Sequence, residues 1–103
     1  METTTKFPTP GEILKSEFME PHNLSINGLA RMINVGPMRI SEIVNGKRAI
    51  TTETARRLGA FFGGGPEFWL NLQSYFDLRK SKEADQGAIE KEIKTISSKE
   101  LIA

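Results

Sequence analysis

Cysteine is absent from the 103 residues, which excludes a disulfide framework, a thiolate metal site and a thiol nucleophile. Histidine occurs once, as His22 between Pro21 and Asn23. With no ligand or acid–base partner beside it, it reads as a surface-turn residue. No catalytic residue, metal site or cofactor is therefore expected. No apolar run approaches the ~20 residues of a membrane span, and the opening METTTKFPTPGE lacks the apolar core of a signal peptide. A cytoplasmic chain that engages no membrane is expected. A phosphate-binding loop is missing too, because the GGGP at 63–66 has no following Lys-Ser/Thr and reads as a helix boundary. Glu90 and Glu92, interleaved with Lys91 and Lys94, read as a solvated helix face and not as an acid–base pair.

Net charge is only +1, too little by itself to imply a polyanion partner, but the charge is unevenly spread. Residues 1–30 carry −2 and residues 31–58 carry +4, from Arg31, Arg39, Lys47, Arg48, Arg56 and Arg57 against Glu42 and Glu53; the remainder carries −1. A local basic patch is the electrostatic footprint expected of nucleic-acid binding.

Helix signals run the length of the chain. Thr9-Pro10-Gly11-Glu12 is a capping box with Pro at the first helical position, so a first helix begins there, buries Leu14 and Phe18 and ends before Pro21. Ser25 caps a second, with Leu24 and Leu29 placed as a hydrophobic staple and Leu29, Met32 and Ile33 as its inner stripe. Only Asn34-Val35-Gly36 separate it from a third helix that starts at Pro37, buries Ile40, Ile43 and Val44, and stops at Asn45-Gly46. So short a link forces a steep crossing. Ala30 offers a small side chain at the close approach, and Asn34 enters the left-handed region more readily than most non-glycine residues. This is the spacing of a helix-turn-helix.

Thr51 or Thr52 caps a fourth helix with Ala55, Leu58, Phe61 and Phe62 facing inward, ended by Gly63-Gly64-Gly65. That triple glycine loosens the link and lets a fifth helix hinge. The fifth opens at Pro66-Glu67, and its apolar residues Phe68 to Leu78 cover more than one face, so a second copy of the chain is expected against Trp69, Leu72, Tyr75 and Phe76. After Lys80 the sequence is charge-rich, with Ile89, Ile93 and Ile96 in helical register; both a marginal helix and a disordered tail fit it. The expected organisation is all-α: a flexible arm at 1–8, a five-helix DNA-binding and dimerisation domain at 9–80, and an amphipathic extension at 81–103.

In the helix-turn-helix arrangement the third helix lies in the major groove, its N-terminal end toward base edges. Its outer face supplies the candidate readers. Arg39 is suited to guanine O6 and N7 or to a phosphate, Met38 to a thymine methyl, and Ser41 and Glu42 to base edges, Glu42 accepting from cytosine N4. Lys47, Arg48 and the start of the fourth helix at Thr51 are expected on phosphates.

The segments TPGEILKSEFMEP, LSINGLARMINVGPMRISEIVNGKRAITTETARRLGAFF and PEFWLNLQSYFDL together resemble the HigA antitoxin group, also called the virulence-associated protein I group, within the phage-repressor-like (XRE) helix-turn-helix family. The resemblance covers residues 7 to 79; RISEIVNGKRAIT with PEFWLNLQ is particular to that group. It implies a five-helix lambda-repressor-like fold and a homodimer that binds operator DNA, represses its own operon and neutralises a RelE-like messenger-RNA endonuclease toxin. The chain departs from the wider family at Ile26, where Gln is usual, at Gly28, which costs roughly 1 kcal/mol relative to Ala, and at Asn34, where the turn usually has Gly. Pro37 and Met38 stand where related repressors often carry Gln, so an operator sequence does not transfer. Two other classes fit the residues: a stand-alone transcription regulator without a toxin, and a protein-interaction module that has lost DNA binding.

Overall fold

The structure, a computed structural model, describes residues 7–96, and its regular elements are all helical. α1 (Pro10–Ile13) opens at the Thr9 capping box: the Thr9 hydroxyl accepts from the Glu12 amide at 3.0 Å, and Glu12 accepts from the Thr9 amide at 2.9 Å. The chain then does not stop before Pro21. It widens into a π-helical stretch, Leu14–Met19, and tightens into a 3₁₀ turn, Glu20–His22, that contains Pro21 and ends at left-handed Asn23. Pro21, which has no N–H, cannot extend the π-helical ladder beyond the bond from the Glu20 amide to the Lys15 carbonyl, and the chain changes to a 3₁₀ turn there.

α2 (Ile26–Ile33) is capped by Ser25, whose hydroxyl accepts from Gly28 N at 2.9 Å. Its inner stripe is Leu29, Ala30 and Ile33; Met32 is 59% exposed, which corrects the expected stripe. At about 100° per residue, Leu29, Ala30 and Ile33 share one arc, and Met32 lies outside it. Asn34 then adopts φ 65°, ψ 45°, and Val35 N reaches back to Ala30 O at 3.0 Å. α3 (Pro37–Val44) buries Ile40 and Ile43. Gly11 is the contact point between α1 and α3: a Cβ placed there would run into the Ile43 carbonyl.

α4 (Thr52–Phe62) starts from the Thr51 cap and buries Ala55, Leu58 and Gly59. Gly63, Gly64 and Gly65 all take positive φ, as a run of glycine permits. The link expected to hinge is packed at one end, because a Cβ on Gly59 would strike the Gly65 backbone. α5 (Glu67–Asp85) continues past the expected boundary at 80 and ends at Gln86 and Gly87, both left-handed. α6 (Ala88–Glu92) is one short turn of helix, and Ile93 is already extended. The isoleucine register of the tail therefore does not form one helical stripe. Of the arm expected at 1–8, Phe7 is ordered against α5: its ring meets Phe76 edge-on at 5.3 Å, and the Arg79 guanidinium sits 4.4 Å from its centroid. Residues 1–6 and 97–103 lie outside the described residues.

One core joins these elements: Leu14, Met19, Leu29, Ala30, Ile33, Ile40, Ile43, Ile50, Ala55, Leu58 and Trp69. Trp69 is 1% exposed, enclosed by Phe18 at 4.7 Å, Phe68 at 5.0 Å and Phe62 at 6.3 Å between ring centroids. This corrects its expected place at an inter-chain interface, because the π-helical stretch, α4 and its own helix already cover it. Among the described residues no helix is long and apolar enough to cross a membrane, and no group of His, Asp and Glu is arranged to hold a metal ion.

Candidate nucleic-acid interface

The tight turn at Asn34 brings the starts of α2 and α3 together, so that Ser25, Ile26, Asn27, Pro37, Met38 and Ser41 line one surface notch. Ile26, where a polar residue was the family expectation, is partly buried against the core and makes the notch apolar. Met38 is 69% exposed at its edge. Ser41 and Glu42 follow one turn later on the same face of α3, half-buried. Asn45 closes the helix by donating from its side-chain amide to the Ser41 carbonyl at 2.9 Å.

The basic exit from α3 is held in place by its neighbours. The Lys47 amide donates to the Glu42 carbonyl at 2.8 Å, leaving the ammonium in solvent. Arg48 folds back on α3, with Nε and Nη2 both 2.8 Å from Glu42 Oε1. Two of the candidate DNA contacts, one expected on a base and one on a phosphate, are thus each other's partner in the free chain. Farther along, the Ile50 amide donates to Gln73 Oε1 at 2.8 Å, and Gln73 Nε2 donates to Asp77 at 2.9 Å. α5 therefore fixes the loop that carries Lys47 and Arg48. Sequence reasoning missed Gln73, whose only signal is a polar residue among the inward positions of an apolar helix.

Arg39 does not project with Met38. Its side chain, 29% exposed, turns to the first turn of α4, with Nη1 3.3 Å from Glu53 Oε1 and 3.4 Å from the hydroxyl of buried Thr54. Glu53 also receives Arg57 Nε and Nη2 at 3.1 and 2.9 Å on its other oxygen. The Arg57 hydrogen bond is the main cause that holds the Glu53 carboxyl below the usual carboxylate range, with the positive charges of Arg39 and Arg57 adding to it. Of the six cations in the basic segment, Arg39, Arg48 and Arg57 are engaged internally; Arg31, Lys47 and Arg56 make no ion pair among the described residues. Thr51, expected near phosphate, is exposed at the start of α4, its hydroxyl accepting from Thr54 N at 3.3 Å.

The side chains expected against a second copy divide. Trp69 is internal, Leu72 is partly buried against the core, and Phe76 is half-covered by Phe7. Tyr75 is 58% and Leu78 54% exposed. His22 holds its ring by a 2.8 Å contact between Nδ1 and the Phe18 carbonyl, at the surface.

Two helices joined by a left-handed Asn, the second presenting a solvent-facing start flanked by basic residues, define a DNA-binding helix-turn-helix protein. The helix-turn-helix family model matches residues 16–69. Virulence-associated protein I of Dichelobacter nodosus is 46% identical over 77 residues, covering 75% of this chain and 71% of that protein. Antitoxin HigA-1 of Vibrio cholerae is 39% identical over 79 residues, covering 76% and 74%. Antitoxin HigA of Pseudomonas aeruginosa, solved with the higBA promoter, superposes with a TM-score of 0.83 at 36% identity, over 89% of this chain and 100% of that one. The chain belongs to the helix-turn-helix family and, within it, to the HigA-type antitoxins.

Proposed function

We propose that this chain is the antitoxin of a type II toxin–antitoxin pair: a homodimer that binds operator DNA upstream of its own start codon, represses that operon and neutralises a RelE-like messenger-RNA endonuclease. The observation that carries the DNA part is the outer face of α3. Met38 stands free at its start, Ser41 and Glu42 share its face, and Lys47 and Arg48 lie at its exit. In this reading Met38 meets a thymine methyl, Ser41 and Glu42 meet base edges, and Lys47, Arg48 and the helix start at Thr51 hold the phosphate backbone. The promoter in the Pseudomonas aeruginosa HigA structure supports a DNA partner of the same kind. Tyr75 and Leu78, exposed on α5 beside Leu72 and Phe76, support the dimer. Kinship with HigA-1, an antitoxin, supports the toxin partner. No step of this function asks the chain for catalysis, and its expected place is the cytoplasm.

Fluorescence anisotropy tests the reading, with the DNA upstream of the chain's own start codon set against an unrelated duplex at ~50 and ~200 mM salt. The expected preference is ~10³ or more, with steep loss at the higher salt. Absence of preference at both salts would move the chain to the protein-interaction class. Co-purification with the product of the adjacent reading frame then separates an antitoxin from a stand-alone regulator.

A further inference from the structure

On α3, a rotation of about 100° per residue places Met38, Ser41, Glu42 and Asn45 within one arc and Ile40, Ile43 and Val44 opposite it. Arg39 falls between the two, on the shoulder that faces α4. Its two acceptors, Glu53 and Thr54, both belong to the first turn of α4. Beyond Glu53 the chain of contacts continues: Arg57 grips the second carboxylate oxygen and donates from Nη1 to the Ile33 carbonyl at 3.0 Å. Ile33 is the last residue of α2. A single carboxylate thus ties α3 to α4 and, through Arg57, to the end of α2, which are the three elements whose mutual angles set how α3 meets a groove.

We propose that Arg39 is a positioning residue and not a reader of bases, and that Glu53 and Arg57 are its partners in fixing the angle of α3. The inference rests on α3 being the DNA-reading helix. It follows from three observations: the Arg39 guanidinium is paired with Glu53, a carboxylate it shares with Arg57, its side chain is largely covered, and both of its acceptors lie within its own chain. Thr54 adds a directional constraint, since its buried hydroxyl accepts from Arg39 on one side and from the Thr51 hydroxyl at the helix start on the other. Sequence specificity then belongs to Met38, Ser41 and Glu42, and the Arg39–Glu53–Arg57 set determines whether those side chains arrive in register. Truncating any member alters the geometry of α3 without removing a contact to DNA.

The test is a double-mutant cycle on the full chain, with Arg39→Gln, Glu53→Gln and both together, read by anisotropy on its own upstream DNA and on an unrelated duplex. Each single variant is expected to lose about three- to tenfold on its own DNA, and the double variant to lose no more than either alone. Binding to the unrelated duplex stays within about twofold, and the salt slope is unchanged, because no phosphate contact has gone. Arg39→Lys keeps the charge and reaches Glu53 without the guanidinium fork; it should recover part of the loss and serves where the glutamine variants melt too low. The proposal is overturned if Arg39→Gln lowers the salt slope by about one and weakens both duplexes equally, which marks a phosphate contact. It is also overturned if Glu53→Gln tightens binding, or if the two losses add. A wild-type chain with no preference for its own DNA would instead remove the functional reading, and this one with it.

Discussion

Gly11 lies directly against the carbonyl of Ile43, with no room between them for a methyl group. α1 and α3 cross there, so the helix proposed to enter the groove is seated on a glycine. Gly11→Ala must push the two backbones apart, at a cost of about 1–3 kcal/mol for overpacking and more if they cannot move. Gly36→Ala is the control, because Gly36 has φ −70° and nothing near the position of a Cβ. A melting temperature that falls by several degrees for the first and by less for the second, which loses only the preference for Gly over Ala at the N-cap of α3, is the expected result; equal effects would deny the close contact.

Trp69→Ala should cost about 3–5 kcal/mol, as for other large aromatic truncations in a core, and should leave the association state of whatever remains folded unchanged. Tyr75→Ala and Leu78→Ala should do the reverse. Their side chains are mostly in solvent, so melting of the isolated subunit changes little while sedimentation shifts from dimer toward monomer. A Tyr75→Ala/Leu78→Ala chain that sediments as wild type would place the interface elsewhere.

The Glu42–Arg48 pair gives a separate test on DNA. Both side chains are partly solvent-exposed, at 34% and 46%, so the pair contributes no more than about 1 kcal/mol to stability. Glu42→Gln releases the guanidinium and removes a negative charge beside it. Affinity for every duplex should rise, the salt slope should steepen by about one, and discrimination at one base pair should relax. Unchanged non-specific affinity would show that Arg48 stays turned away from phosphate.

Acid should weaken the α3–α4 tie. The Glu53 carboxyl is depressed below its ordinary value near 4.5 by Arg57 and Arg39. A carboxyl depressed on folding contributes stability above its unfolded pKa and loses that contribution as pH falls through the folded value. The difference in melting temperature between wild type and Glu53→Gln should therefore be constant from neutral pH down to about 4.5, then shrink below it, and be smaller in high salt. A difference that persists undiminished at pH 2 to 3 would assign the effect to packing.

The parts of this molecule that were legible in the sequence are those fixed within a few residues. Thr9 with Glu12, Ser25, Thr51 and Asn34 each satisfy backbone groups three or four positions away, so local chemistry sufficed to place the helices and the turn. What was misread depends on distant partners. Met32 was placed inward because an eight-residue stripe has too few turns to fix its own phase. Trp69 was assigned outward because the breadth of an apolar arc does not say whether Phe18 and Phe62 will close over it. The contacts of Arg39 were equally invisible, since its acceptors stand 14 and 15 positions away. Gly11 and Gly59 carried no signal beyond being glycine, because the backbones they admit come from α3 in one case and from the folded-back glycine link in the other.

Among its 19 residues α5 buries only Trp69, yet at 1.5 Å per residue it runs for about 28 Å. Its first turns belong to the core, while the turns after Leu78 rest on little more than their own ladder and the Phe7–Arg79 contact. The two halves of one unbroken helix should therefore open separately: amides near Trp69 exchange with solvent only when the whole domain unfolds, and those near Lys82 exchange by local fraying. A partner that settles on Tyr75 and Leu78 would have to quiet that fraying as it binds, so part of its affinity is spent on ordering a helix that already has its shape.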